Sequence, residues 1–521
     1  MDGLHLSVTG VKSDCNVAPD AIRNHIAQMT AALRIHADDH VATLLEPVIA
    51  GECVLVGEAR LVASTDIPKG HKIALTTIRE GAEVVKFGFP IGRATAAIRA
   101  GDHVHNHNLA TALAGALDYR FRPVDRPSSE ASGERSFLGY VREGGRVGTR
   151  NEIWILPTVG CVGRTAERIA AEGGRRHPDE VDGVHAFPHP YGCSQLGDDL
   201  DATRKMLAAL ASHPNAGGVL LIGLGCESNQ IGRLLEEVPA VNRERIRTLV
   251  AQSAGDEVGE GLALVAELAA KAAMDRRVPV GLDKLVLGVK CGGSDGFSGL
   301  TANPLVGRMS DRVTTAGASV ILTEIPEIFG AEQMLMDRAE SEAVFDEVVR
   351  VVNDFKRYFL SHGEPVSENP SPGNIAGGIT TLEEKSLGAV QKAGHAIVSD
   401  VRRYGERIRR AGLTLLEAPG NDAVSSTALA ASGATMILFT TGRGTPLGFP
   451  VPTVKIASNS ELAQRKPGWI DFDAGQVLTD GFEVAEAALL DRIIATASGA
   501  ETAAERNGER EIAFWKRGVT L

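Results

Sequence analysis

The chain has 521 residues, with 54 Lys and Arg against 66 Asp and Glu, for a formal charge of −12 at pH 7. That balance argues against nucleic acid or an anionic membrane as the main partner, and leaves room for a small anion held by a local positive site. The length predicts two to four domains. Many glycines (58) with few aromatics (4%) point to α/β architecture with tight strand-to-helix turns, not a β-sandwich.

The six cysteines, Cys15, Cys53, Cys161, Cys193, Cys226 and Cys291, are too widely spaced for a disulfide framework. No signal-like N-terminus and no apolar run of about 18 residues is present. A soluble cytoplasmic protein with reduced thiols is therefore expected.

Residues 1–32 are weakly patterned and read as an extension. From 33 to 117, short β-like pieces recur at Val54–Val56, Arg60–Ala63, Lys72–Leu75, Val84–Phe87 and Val104–His105, separated by Gly-containing turns. This predicts a small turn-rich β module. It concentrates histidine at His36, His40, His71, His103, His105 and His107. In His103-Val-His-Asn-His107 alternate residues are histidine, so on a strand all three share one face. Such a face is either a metal site or anion clamp, or a solvated edge strand. Residues 118–138 are rich in Pro, Ser and charge and read as a linker.

From 139 to 521 apolar runs alternate with helical patterns. Strands are expected at Ile153–Leu156, Val184–Phe187, Val219–Ile222, Thr248–Ala251, Leu285–Val289, Val320–Leu322, Leu413–Leu416, Met436–Phe439 and Val454–Ala457. Helices are expected at Asp199–Ala211, Gly259–Ala273 and Glu340–Phe359. Continuous apolar runs suit strands buried on both faces, so the pattern predicts a doubly wound, Rossmann-like parallel sheet, as one unit or two. The stretch Ser361–Gly378 is either a loop over the site or a boundary.

Four cysteines end strand-like segments: Cys161, Cys193, Cys226 and Cys291. In an open α/β sheet ligands bind outside the carboxyl ends of the strands. If those strands adjoin, their thiols converge and could hold a soft metal or an iron–sulfur cluster; otherwise they are small buried residues. Polar groups follow each cysteine: Ser194, Gln195 and Asp198 after the second, Glu227 to Gln230 after the third, Ser294 and Asp295 after the fourth. They suit a hydroxyl-rich ligand, though some will cap helices. Glu324 and Glu327 follow a strand as metal ligands or proton carriers. Asn374, Asn421 and Asp422 sit in loops suited to an anion, and Arg443, between glycines, is the expected carboxylate clamp, with Lys385 and Lys392 as further candidates. No full GxGxxG opens a helix after the first strand and no Walker pattern is present.

At Gly148-Thr-Arg-Asn-Glu152, Leu156-Pro-Thr-Val-Gly-Cys161, Tyr191-Gly-Cys-Ser-Gln-Leu-Gly-Asp-Asp199, Cys291-Gly-Gly-Ser-Asp295, Ser371-Pro-Gly-Asn374 and Thr441-Gly-Arg-Gly-Thr445 the chain resembles the altronate/galactarate dehydratase family, over about residues 33–521. The resemblance implies a β-clip module of the SAF type before a Rossmann-like catalytic part. It also implies dehydration of a sugar acid, D-altronate to 2-keto-3-deoxy-D-gluconate, within hexuronate catabolism, and a requirement for ferrous iron. Galactarate or another 2-hydroxy acid as substrate, and a non-catalytic sugar-acid-binding protein, are the alternatives. Proton carriers are then sought among His105, His107 and Glu327, and iron ligands among His71, His105, His107, Cys193, Cys226 and Cys291. Mn²⁺ as a substitute, a three-cysteine cluster with one open iron, and a homodimer are further expectations.

Overall fold

The structure, a computed structural model, describes residues 30–113, 115–124 and 135–520. Cys15 and nearly all of the expected extension lie outside them. Thr30–Leu33 is already a strand of the N-terminal module, so that module starts earlier than position 33.

The module consists of one six-stranded and one three-stranded sheet of short strands, mostly antiparallel. Its turns use glycine where the chain must enter the left-handed region. One of them, Gly70 (φ +80°), sits where the module meets the rest of the chain. A Cβ at Gly296 would lie 2.0 Å from Gly70 O, and one at Gly378 would lie 2.4 Å from it. Three glycines therefore let three backbones meet at one seam.

Residues 118–124 are not a free linker. Tyr119 bonds Glu332, and the Phe121 and Phe345 rings lie 5.3 Å apart. The end of the expected linker is also structured: Ser136–Val141 pairs antiparallel with Val278–Gly281. Residues 125–134 lie outside the described residues.

The α/β part contains two parallel sheets. The first has four strands, β1 (Glu152–Pro157), β2 (Val184–Ala186), β3 (Ala216–Gly223) and β4 (Ile246–Val250), in the order β2-β1-β3-β4. Helices α1 (Gly163–Arg176), α2 (Gly197–Ala211) and α3 (Glu257–Ala272) belong to this unit. β1 and β3 are buried at every position, as their unbroken apolar runs require.

The second sheet has seven strands, β5 (Val286–Cys291), β6 (Ser319–Leu322), β7 (Val398–Arg402), β8 (Gly412–Leu416), β9 (Met436–Thr441), β10 (Thr453–Ala457) and β11 (Phe472–Asp473), in the order β7-β8-β6-β5-β9-β10-β11. Around it lie α4 (Ala302–Thr315), α5 (Glu342–Ser361), α6 (Leu382–Val390), α7 (Asp422–Ala431) and α8 (Phe482–Ala497). All nine expected strands and all three expected helices are present to within a few residues. The sequence reading misses β7 and β11 because they are the edge strands of this sheet, and Val398-Ser-Asp-Val-Arg402 lacks a continuous apolar run.

Splitting the strands between two sheets separates the cysteines. Cys161, Cys193 and Cys226 follow β1, β2 and β3, whereas Cys291 ends β5 in the other sheet. Cys291 therefore does not share a sheet edge with Cys193 and Cys226, as convergence on one sheet would require.

Candidate active site

At the carboxyl edge of the seven-stranded sheet, the position at which ligands bind in open parallel sheets, the loops after β5, β6, β8 and β9 carry the charged groups described next. Cys291 closes β5 and is buried. Its Sγ accepts from Lys392 Nζ at 2.8 Å and donates to Glu324 Oε2 and Glu327 Oε2 at 3.7 and 3.6 Å. Burial pushes the thiol up to about 11, so it is protonated at neutral pH.

Lys290, the residue before it, is fully buried and bonds Glu324 Oε1 at 2.5 Å and Asp422 Oδ1 at 2.9 Å. Glu324 adopts a left-handed conformation (φ +65°) that turns its carboxylate back onto β5. Lys385 on α6 donates to Glu327 Oε1 at 2.9 Å, Asn369 Oδ1 at 2.9 Å and Asn374 Oδ1 at 3.3 Å. Burial alone would raise the Glu327 carboxyl, but Lys385 and Lys290 overcome it and hold the group below its ordinary range. The site thus packs the carboxylates Glu324, Glu327 and Asp422 against the ammoniums Lys290, Lys385 and Lys392.

The Cys291-Gly-Gly-Ser-Asp295 loop is shaped from within. Asp295 Oδ1 accepts from the backbone of Phe297 and Ser298 and from the hydroxyls of Ser298 and Ser458, and Oδ2 accepts from Asn459. Its carboxylate is therefore committed to the protein and does not serve as a free substrate ligand. Asn374 Nδ2 donates to Ser294 O at 2.8 Å, which ties this loop to the 371–380 segment. The stretch Ser361–Gly378 is thus a loop over the site, not a boundary.

The N-terminal module reaches the same segment. His71 Nε2 lies 3.3 Å from Ala376 O, and His105 Nδ1 lies 3.0 Å from Thr380 Oγ1. His71 Nδ1 and His103 Nε2 are 3.1 Å apart, and one ring nitrogen from each of His71, His103 and His105 lies within 4.8 Å of the others. His107 lies beside His103, with ring centroids 5.4 Å apart, but its nitrogens do not join the three that lie within 4.8 Å of one another. The strand ends at Val104, and Asn108 closes a turn by donating to His103 O and accepting from His105 N–H, which leaves His107 exposed. His103, which the strand-face argument placed beside the other two, takes its position.

Below the triad, Lys72 and Lys86 each bond Glu384 at 2.8 Å, and all three are buried. Lys72 also donates to Gly378 O and Thr380 Oγ1. This pins the module to α6. None of the three was singled out from the sequence. The available signal was a lysine directly following His71 within a strand pattern.

The remaining expected residues are dispersed. Ser194, Gln195 and Asp198 lie after β2 in the other sheet unit; Gln195 accepts from Gly192 N–H, and Asp198 is exposed. Asn421 caps α7 by accepting from Ala423 and Val424 N–H. Arg443 is exposed and donates to Gly373 O at 3.3 Å, placing its guanidinium at the loop that covers the site.

The two clusters differ as metal sites. The ligand atoms of Cys291, Glu324 and Glu327 also lie within 4.8 Å of one another, but a dication there would face three ammoniums already paired with these carboxylates and with Asp422, so the charge balance disfavours a metal at this cluster. Burial drives His103 down to about 3 and His105 to about 4, and lowers His71. Three neutral imidazoles beside one another are the donor set that ferrous iron accepts. His103→Ala is expected to weaken ferrous-iron binding by more than the roughly 10–100-fold that an outer-sphere partner costs. Anaerobic iron titration of the protein measures this, with His107→Ala as the variant that binds as the parent does.

Among the described residues no helix is long and apolar enough to cross a membrane. Three family models match in succession: the altronate/galactarate dehydratase SAF domain at 30–112, the D-galactarate dehydratase/altronate hydrolase second domain at 139–273, and the D-galactarate/altronate dehydratase C-terminal domain at 282–520. The chain is 50% identical to an altronate dehydratase of Escherichia coli over 94% of its own length and 99% of that protein. It is 48% identical to an altronate dehydratase of Bacillus subtilis over 95% of its length and 100% of that protein. A galactarate dehydratase (L-threo-forming) of Escherichia coli is 33% identical over 86% of this chain and 88% of that protein. With an N-terminal SAF domain, a four-stranded and a seven-stranded parallel sheet, and a charged pocket at the carboxyl edge of the latter, the chain belongs to the D-galactarate/altronate dehydratase family of hydro-lyases.

Proposed function

We propose that the protein dehydrates D-altronate to 2-dehydro-3-deoxy-D-gluconate and water. The identity of about half over nearly the whole length of two altronate dehydratases supports this reading, against about a third for the galactarate enzyme. We place it in the cytoplasm, which suits its exposed thiols Cys161, Cys193 and Cys226.

The reaction removes a weakly acidic proton at C2 and the hydroxyl at C3, and the enol formed tautomerises to the ketone. His71, His103 and His105 would hold ferrous iron, or Mn²⁺ in its place. When bound, the ion supplies Lewis-acid stabilisation of negative charge on the sugar acid.

The protein's own groups handle the protons. Glu327 is kept ionised in a buried site, and its Oε1 accepts the C2 proton. Lys385 Nζ, hydrogen-bonded to that same oxygen, gives a proton to the departing C3 hydroxyl and is restored from Glu327 along the 2.9 Å bond. Lys290 and Lys392 balance Glu324 and Asp422, so the pocket holds paired charges in fixed positions around the charge that develops. Arg443 and the amides of Gly293 and Ser294 are the groups for the substrate carboxylate. Closure of the N-terminal module over this edge excludes water from the intermediate.

The test is turnover of a panel of aldonates and aldarates, under anaerobic conditions with ferrous iron, read by 2-keto acid formation. D-Altronate is expected to give the highest kcat/KM. Absence of product from every sugar acid would overturn the dehydratase reading, and a preference for galactarate would overturn the substrate.

A further inference from the structure

Three thiols have no part in the pocket. Cys161, Cys193 and Cys226 follow β1, β2 and β3, which lie side by side in the order β2-β1-β3, so one edge of one sheet collects all of them. The loops that carry them are tied together. Gly160 N–H donates to Tyr191 O at 2.9 Å, Asn229 N–H donates to Gly192 O at 3.0 Å, and Asn229 Nδ2 donates to Thr158 O at 3.1 Å. Gly192 (φ +99°) is pressed so closely on the Cys161 loop that an added Cβ would lie 2.0 Å from Thr158 O. Each cysteine is thus one to three residues from a point where its loop is fixed to a neighbour's.

All three side chains are exposed, so burial in a core does not account for them. Asn229 is fully buried within the knot of loops, and its Oδ1 has no hydrogen-bond partner. Helix α1 starts two residues after Cys161 and α2 four residues after Cys193, so the N-termini of two helices lie close to these thiols in sequence.

The spacing distinguishes the ligand. Among the described residues, three ligand atoms come within 4.8 Å of one another at the histidine triad and at Cys291, Glu324 and Glu327, but not at these thiols. The three sulfurs are therefore not placed for one ion bound by all of them, whereas a polynuclear centre, in which each thiolate binds a different iron, does not require that approach.

We infer that the carboxyl edge of the four-stranded sheet holds an iron–sulfur cluster through Cys161, Cys193 and Cys226, with no cysteine on the fourth iron. This rests on the tied loops and the exposed thiols and is separate from the assignment of the substrate.

The full-length protein, reconstituted anaerobically with ferric iron, sulfide and dithiothreitol, is assayed for bound iron, acid-labile sulfide and visible absorption. The expected result is about four sulfide per chain and about four iron beyond the one held by the histidine triad, with an absorption that bleaches on reduction. Cys291→Ser should match the parent. The combined Cys161→Ser, Cys193→Ser and Cys226→Ser variant should lose nearly all of the sulfide, and each single variant should lose part of it, so the singles decide if the combined variant does not fold. Equal sulfide in parent and combined variant would overturn the inference, and so would iron without sulfide, which means iron at the histidines or adventitious iron only. Turnover is not a readout, so failure here leaves the dehydration reading untouched.

Discussion

Glu327→Gln is expected to lower kcat by about 10²–10⁴-fold, the range that positioned proton transfer contributes. The substitution keeps the side chain's size, and its amide retains an oxygen for Lys385 and Asn369, which now bond Glu327 Oε1 at 2.9 and 3.2 Å. Packing should therefore change little while the ability to accept a proton is lost, and the melting temperature should fall because Lys385 loses its buried counter-charge. Steady-state kinetics on D-altronate, beside a thermal melt, measures both. A drop in kcat with KM nearly unchanged would assign the group to the chemical step. Retention of more than a tenth of the parent kcat would remove Glu327 from proton transfer.

The second large effect is on stability. Glu384→Leu leaves the ammoniums of Lys72 and Lys86 buried without a counter-charge, and removing one partner of a buried ion pair costs about 3–5 kcal/mol. Burial alone would raise the Glu384 carboxyl, but the two lysines overcome it and hold it at about 2. Its contribution is thus fully present above the ordinary value of 4.5 and is lost as pH falls toward 2. Chemical denaturation of the variant at neutral pH measures the loss. Adding Lys72→Met and Lys86→Met should recover much of it, because the cost lies in the unpaired charges and not in the missing contacts. If the triple variant is no more stable than Glu384→Leu, the network is not what joins the N-terminal module to α6.

Much of the architecture was legible because its strands are buried on both faces. Runs such as Ile153-Trp-Ile-Leu156 and Met436-Ile-Leu-Phe439 announce themselves without any knowledge of their neighbours. The loops that follow them were equally visible through glycine and polar composition, and Cys291, Glu327, Asn374 and Lys385 do meet in one pocket. Roles within those loops were less visible. Asn421 and Asp295 look like ligand groups in the sequence, but one caps a helix and the other builds a turn. A short polar side chain that can bond a ligand can also bond the backbone beside it. The exclusion of His107 from the triad depended on Asn108, whose side chain ends the strand one residue after His103.

Local sequence determined the α/β class, the small β module, the placement of cysteines at strand ends and the family, since each of these is carried by periodicity or by contiguous motifs. Only the tertiary structure decided which strand ends share an edge. It placed Cys161, Cys193 and Cys226 along one sheet and Cys291 in another, and brought His71, His103 and His105 against residues 376–380. It also showed that the three carboxylates around Cys291 are matched by three lysines. Strand order and charge pairing are set by contacts between residues hundreds of positions apart, and burial makes those contacts decisive by removing the water that would otherwise satisfy each group alone.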